Sequence, residues 1–111
     1  MTASAHLDTF ARDNLPPRAQ WPEFRFDLPE LRYPERLNCI NEFVDRWLAA
    51  GQGDRPCLIS PAESLTYAQL DARSDAIAAG LARHGIARGT RTVVMVRPTP
   101  EFFLLMFALF K

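Results

Sequence analysis

The residue types that could do chemistry are few in this chain, and their spacing connects almost none of them. Twelve of the 13 basic side chains are arginine, and the one lysine is Lys111. Schiff-base formation and a phosphate-loop lysine both need that residue type, so both are close to excluded. Cys39 and Cys57 stand too far apart for a Cys-x-x-Cys site, and His6 and His84 form no ligand spacing with them, so no metal site is expected. The two cysteines read as reduced thiols, small and buried. Ser60, Ser64 and Ser74 have no histidine at an informative distance, and Gly-x-Ser-x-Gly does not occur, which leaves serine nucleophile chemistry without support. Asp71 and Asp75 fall on one helix face, where they read as a solvated surface rather than a catalytic carboxylate pair. Gly85-Ile86-Ala87-Arg88-Gly89 lacks Gly-Lys-[Ser/Thr] and follows a helical pattern, so it reads as a helix cap and a turn. Arg97 ends an apolar run, the place outside strand ends where open α/β sheets bind ligands, but a single arginine there reads as an ordinary strand-end charge. Residue types and spacing therefore assign no catalytic, cofactor-binding or metal-binding residue.

Bulk composition narrows the setting of this chemistry-poor chain. It has 111 residues, 13 basic against 13 acidic side chains, and 48% hydrophobic residues, which is the arithmetic of one small globular unit. A formal charge of zero provides no field to gather phosphates, so nucleic-acid binding is not expected. Met1 to Phe10 contain no apolar core of a secretory leader, and a cytoplasmic location follows as the expectation.

The elements that would position any site change character at residue 38. Residues 1–37 hold Pro16, Pro17, Pro22, Pro29 and Pro34 interleaved with Phe10, Trp21, Phe24, Phe26 and Tyr33, which breaks long helices and predicts an arm. Within it, Phe24 to Leu28 alternate apolar and charged residues, the pattern of a short edge strand. From Asn38, a helix cap, the residues Ile40, Phe43, Val44, Trp47 and Leu48 recur at helical spacing, and Gly51 closes the element. Cys57 to Ile59 and Leu65 to Tyr67, separated by the turn Ser60 to Glu63, read as a small hairpin. Thr66 and Gln69 have capping-box spacing, and Leu70, Ser74, Ile77, Ala78 and Leu81 line one face of the helix that follows. Thr92 to Val96 is a β-branched run of the kind buried in a parallel sheet, which predicts a βαβ unit.

Thr99, Pro100 and Glu101 open a last helix in the order of cap, first-turn proline and first-turn acid. Phe102 to Phe110 then contain no polar residue. At 1.5 Å per residue these nine cover about 14 Å, half the hydrocarbon core of a bilayer, so no membrane span is expected. A helix apolar all round needs protein on every side. The short preceding unit is not expected to enclose it, which predicts either a missing continuation or a partner covering Phe102–Phe110.

In order along the chain, Asp54-Arg55-Pro56-Cys57-Leu58-Ile59, Leu65-Thr66-Tyr67-Ala68-Gln69-Leu70-Asp71, Gly89-Thr90-Arg91-Thr92-Val93-Val94-Met95, Pro100-Glu101-Phe102 and Phe107-Ala108-Leu109-Phe110-Lys111 resemble the opening of the AMP-forming acyl-CoA synthetases, the adenylate-forming ligases. The arm, with Asn14-Leu15-Pro16-Pro17, Trp21-Pro22-Glu23-Phe24 and Tyr33-Pro34-Glu35-Arg36, is similar to that of benzoate and 2-aminobenzoate CoA ligases. The resemblance implies an α/β fold, specifically the incomplete start of the large N-terminal domain of that family: an arm at 1–37 and the first α/β segment of an adenylation domain at 38–111. It implies ATP, Mg2+ and coenzyme A as cofactors of a complete member, and the remainder of the ligase as the partner of this segment. The family's phosphate loop and C-terminal lysine motifs do not occur here, and Lys111 corresponds to a structural position, so the chain alone is expected to be inactive. The alternative is a small α/β interaction module that docks through its apolar last helix.

Overall fold

The computed structural model describes residues 6–111. Met1 to Ala5, part of the stretch read above as lacking a leader, lie outside the described residues. The chain divides into two compact units, Met1–Leu37 and Asn38–Lys111.

In the first unit, proline spacing limits regular structure to single turns: α1 (Phe10–Asp13) and the 3-10 turns Arg18–Gln20 and Pro29–Leu31. An aromatic cluster organises its middle. The Trp21 indole donates to the Pro16 carbonyl at 2.8 Å, Arg18 lies 4.9 Å over its ring, and Phe24 meets it edge-on at 6.1 Å. The edge strand expected at Phe24 to Leu28 does not form. The segment is extended, and the Phe24 and Phe26 rings stack at 6.2 Å as period-two neighbours should. No ladder partner exists for it among the described residues, however, and a strand without a ladder is only extended chain.

The second unit packs three helical segments and a hairpin around one core. Asn38 caps the first segment as expected, its carboxamide oxygen accepting from the Ile40 amide at 3.2 Å. The segment is not uniformly α-helical: Asn41–Asp45 form a π-helical turn that leads into α2 (Arg46–Ala49). The wider turn admits an extra residue, so Ile40 and Val44 are buried while Phe43, expected on the same stripe, is 58% exposed. At the end of α2 the amides of Gly51 and Gln52 donate to the Leu48 and Trp47 carbonyls, and Gly51 takes φ +70°. This is the paired C-terminal cap that glycine makes accessible.

β1 (Pro56–Ile59) and β2 (Ser64–Thr66) form the expected hairpin, antiparallel, with Leu58 opposite Leu65 and Ile59 opposite Ser64. α3 (Tyr67–Arg83) starts on a complete capping box: the Gln69 amide donates to Thr66 Oγ1 at 3.2 Å and the Thr66 amide to Gln69 Oε1 at 3.0 Å. It ends on a second paired cap, Gly85 N–H to Ala82 O and Ile86 N–H to Leu81 O, with Gly85 at φ +83°. α4 (Pro100–Phe110) closes the chain's order of elements.

One expectation about this unit needs correction. Thr92 to Val96 form no strand, so there is no βαβ unit; the described sheet is the β1–β2 hairpin alone. Parallel pairing is non-local, and no other extended segment lies beside this one among the described residues, so Val93 and Met95 are 83% and 89% exposed. α4 is apolar on every face, and the unit does not enclose it on every side, as expected. Leu104 and Phe107 are buried in one cluster with Ile40, Val44, Leu65 and Leu70, and Ala108 is buried beside them in sequence, while Phe103 and Met106 are half-buried and Phe110 is exposed. The short unit thus encloses one face of the helix and leaves the others partly open.

Candidate functional site

Hydrogen-bond geometry shows which of the chemistry-bearing residues are already committed to holding the fold. Ser60 is committed to its turn. Its hydroxyl donates to the Glu63 carbonyl at 2.9 Å and accepts from the amides of Ala62 and Glu63, an arrangement that closes the hairpin loop. Ser64 donates to the Leu58 carbonyl, and buried Ser74 to the Asp71 carbonyl one turn back. None of the three hydroxyls meets a base. Cys57 is half-buried, with its thiol directed at the Leu65 carbonyl at 3.3 Å, and burial pushes the thiol's pKa up. Cys39 is exposed, which corrects the expectation of two buried thiols: it lies at the start of its helical segment, before the first buried position, Ile40.

The helix termini are equally occupied. The first three amides of α3 donate to Arg55 O, Gly53 O and Thr66 Oγ1. In the Gly85 to Gly89 turn, the amides of Gly85, Ile86 and Ala87 donate to Ala82 O, Leu81 O and Thr90 Oγ1. A phosphate cradle requires those N–H groups to be available, so the turn is a cap, as its sequence indicates. Arg97 is exposed at the end of the unpaired extended segment and so marks no sheet edge.

Asp71 and Asp75 depart from the solvated-surface reading. Both accept from the Lys111 ammonium, at 2.6 and 2.5 Å, and tie α3 to the residue that follows α4. The sequence signal for this was available, since Asp71 and Asp75 are one turn apart and Lys111 is the chain's one lysine. Two arginines stack on an aromatic ring, a contact that no spacing in the chain announces. The guanidinium groups of Arg46 and Arg55 lie 4.8 and 5.4 Å from the Trp47 ring centre, and Tyr67 lies 5.9 Å from the same ring.

One open cleft of about 620 Å³ lies between the hairpin loop and the start of α4, lined by Ser60 to Glu63 and Pro98 to Glu101. Its charges are wrong for a nucleotide triphosphate. Glu63 is held by Arg73 at 2.8 Å, and Glu101 occupies the positive end of α4. The Thr99 hydroxyl bonds the Glu101 carboxyl and holds its pKa below the usual glutamate range, with its own backbone amide adding to the effect. Thr99 therefore serves Glu101 instead of capping a helix amide with its side chain, and the Phe102 amide donates to the Thr99 carbonyl. A phosphate placed here would meet two carboxylates and no cationic side chain of the lining, so this cleft by itself does not fit the phosphates of ATP. Among the described residues no three His, Cys, Asp or Glu side chains gather into a possible metal site. No helix of the described residues is long and apolar enough to cross a membrane.

Comparison with known proteins gives this scaffold its relatives. An olefin beta-lactone synthetase of Xanthomonas campestris pv. campestris is 83% identical over 48 residues, 43% of this chain and 9% of that protein. A 4-coumarate–CoA ligase of Humulus lupulus is 36% identical over 81 residues, 71% of this chain and 14% of that protein. A 3-hydroxybenzoate–CoA/4-hydroxybenzoate–CoA ligase of Thauera aromatica is 29% identical over 72 residues, 65% of this chain and 14% of that protein. The chain thus spans a small part of the length of the curated relatives it matches. No solved structure matches it. Residues 45–111, from the π-helical turn through α4 and more than half of the chain, match the AMP-binding enzyme family, and the chain belongs to that family.

Proposed function

We propose that this chain is the opening scaffold of an enzyme that activates a carboxylic acid with ATP, and that the 111 residues alone are catalytically silent. In the complete reaction the carboxylate attacks the α-phosphate of ATP, pyrophosphate leaves, and the acyl adenylate passes its acyl group to an acceptor. The observation that carries the reading is the family match across 45–111. Residues 1–37 serve as an N-terminal arm and 38–111 as the first α/β segment of the adenylation domain. The remainder of such an enzyme supplies the groups that hold ATP, Mg2+ and the acceptor, and covers the open faces of Phe102–Phe110, in a cytoplasmic setting.

The acceptor divides this proposal into two readings. The CoA ligases named for hydroxybenzoates and 4-coumarate support transfer of an aryl acyl group to the thiol of coenzyme A, and a benzoate-type acid, 2-aminobenzoate among them, is the substrate class of that reading. The second reading is favoured by degree of identity, 83% to the olefin beta-lactone synthetase against 29% and 36% to the two ligases. A β-lactone is the cyclic ester of a 3-hydroxy acid, so there the acid's own hydroxyl would displace AMP.

The test is grafting. This chain replaces the matching segment of the Xanthomonas campestris synthetase and, separately, of the Thauera aromatica ligase, and ATP–pyrophosphate exchange and acyl products are measured. We expect no exchange above background from the chain alone and exchange from a graft. Retention in the synthetase graft alone favours the lactone reading, and retention in the ligase graft alone favours transfer to coenzyme A. Exchange by the isolated chain overturns its silence, and loss of exchange in both grafts overturns the scaffold role.

A further inference from the structure

Lys111 is the one lysine of the chain and so its one side-chain amine. Its ammonium has three N–H donors, and the structure uses all of them. They go to Asp75 Oδ1 at 2.5 Å, Asp71 Oδ1 at 2.6 Å and the Asp71 carbonyl at 3.2 Å. The Lys111 side chain is 15% exposed, against 29% for Asp71 and 63% for Asp75. An amine attacks an electrophile only through the lone pair left when it gives up a proton. Here that loss would strand two carboxylates and remove a donor from a saturated set. We propose that Asp71 and Asp75 form a latch on Lys111, between α3 and the end of α4, that shields this amine from acylation.

The balance of effects on the amine agrees with the geometry. Burial alone would favour the neutral amine, but the hydrogen bonds and charges of Asp71 and Asp75 outweigh it and raise the pKa. Acylation would join Nζ to the acyl carbon, break the acyl–oxygen bond to AMP, release AMP as its dianion and pass two of the three ammonium protons to solvent. The acyl-lysine would keep one N–H and no charge, so it could not satisfy both carboxylates. The latch stands on the structure alone. Its use, keeping an amine of the scaffold from consuming acyl adenylate, rests on the adenylation reading above.

Chemical acylation tests the latch without requiring any enzymatic activity. The full chain is treated with N-acetoxysuccinimide at pH 8, cyanogen bromide cleavage after Met106 releases Phe107 to Lys111, and acetylation of Lys111 is followed by mass spectrometry. We expect a rate at least about fivefold below that of the free pentapeptide, the scale of two ion pairs that must both open. Asp71→Asn and Asp75→Asn should each recover part of the rate while keeping the helical circular dichroism. Wild-type chain in urea should react at the peptide's rate, which supplies the control should either variant fail to fold. Acetylation of the folded wild-type chain at the peptide's rate, or protection undiminished in both folded variants, overturns the proposal. Failure of the grafts with protection intact would overturn only the adenylation reading and the use assigned to the latch.

Discussion

Truncating Leu104 tests whether α4 is seated by the face that the structure buries. Leu104 is 1% exposed and packs in one cluster with Ile40, Val44, Leu65, Leu70 and Phe107, so its side chain is surrounded by other elements of the unit. Leu→Ala at such a site removes the transfer energy of the lost carbons and leaves a cavity, together about 2 to 5 kcal/mol. With neighbours contributed by three different elements the walls cannot easily collapse, and we expect about 3 kcal/mol. Phe110, on the same helix, is 39% exposed. Full burial of a large apolar side chain is worth roughly 1.5 to 3 kcal/mol, so Phe110→Ala should cost about 1 kcal/mol. Urea unfolding followed by circular dichroism reads the difference. At about 1 kcal/mol per molar for a unit of this size, Leu104→Ala lowers the midpoint by about 3 M and Phe110→Ala by about 1 M. Total stabilities start at about 5 kcal/mol, so the Leu104 variant would keep about 2 kcal/mol and remain mostly folded without urea, which leaves its midpoint measurable. Equal midpoint shifts for the two variants would refute the one-faced seating of α4.

Three further outcomes follow from single contacts. Thr66→Ala opens the capping box of α3 and should cost about 1 kcal/mol, a fall of about 4 to 8 °C in Tm, with Thr66→Ser restoring most of it; an unchanged Tm sinks the argument. In a pH titration followed by NMR, the Glu101 carboxyl should titrate below the ordinary glutamate range, and Thr99→Val should bring it back up. Because the folded pKa is the lower one, any stabilisation from Glu101 is present above the unfolded value and lost as pH falls through the folded one, and a titration unmoved by Thr99→Val contradicts the cause assigned. Exposed Cys39 should react with a thiol reagent well before Cys57, whose thiolate burial disfavours; equal rates would count against the packing of β1.

What the sequence made legible were contacts closed over short distances. The Asn38 cap, the Thr66–Gln69 box, both glycine caps and the Ser60 turn each depend on residues within about five positions, and each forms as its spacing indicates. The π-helical turn was not legible. Ile40, Val44, Trp47 and Leu48 fit an ordinary α-helix as well, and the extra residue shows only in the exposure of Phe43. Lys111 with Asp71 and Asp75 was half legible. The carboxylates and the lysine were visible, but their meeting depends on α4 lying along α3, a fact of packing across 36 to 40 residues.

The failed expectation of a βαβ unit has the same origin. A helix closes its backbone hydrogen bonds within its own segment, and a hairpin closes them across a turn of a few residues, so α3, α4 and the β1–β2 pair need little beyond their local sequence. A parallel strand has no such local closure, and every N–H and C=O it exposes waits for a second strand reached by a crossover. The β-branched run Thr92 to Val96 therefore specifies an extended conformation but not a sheet, and the structure gives it the first without the second. The same distinction applies to the candidate site. Caps and turns take up the amides of Gly85, Ile86 and Ala87 and the first amides of α3, and the cleft between the hairpin loop and α4 presents carboxylates where a phosphate needs cations. The chain spans 9 to 14% of the length of these relatives, and its family match across 45–111 takes in the hairpin, α3 and α4, elements whose backbone bonds close locally.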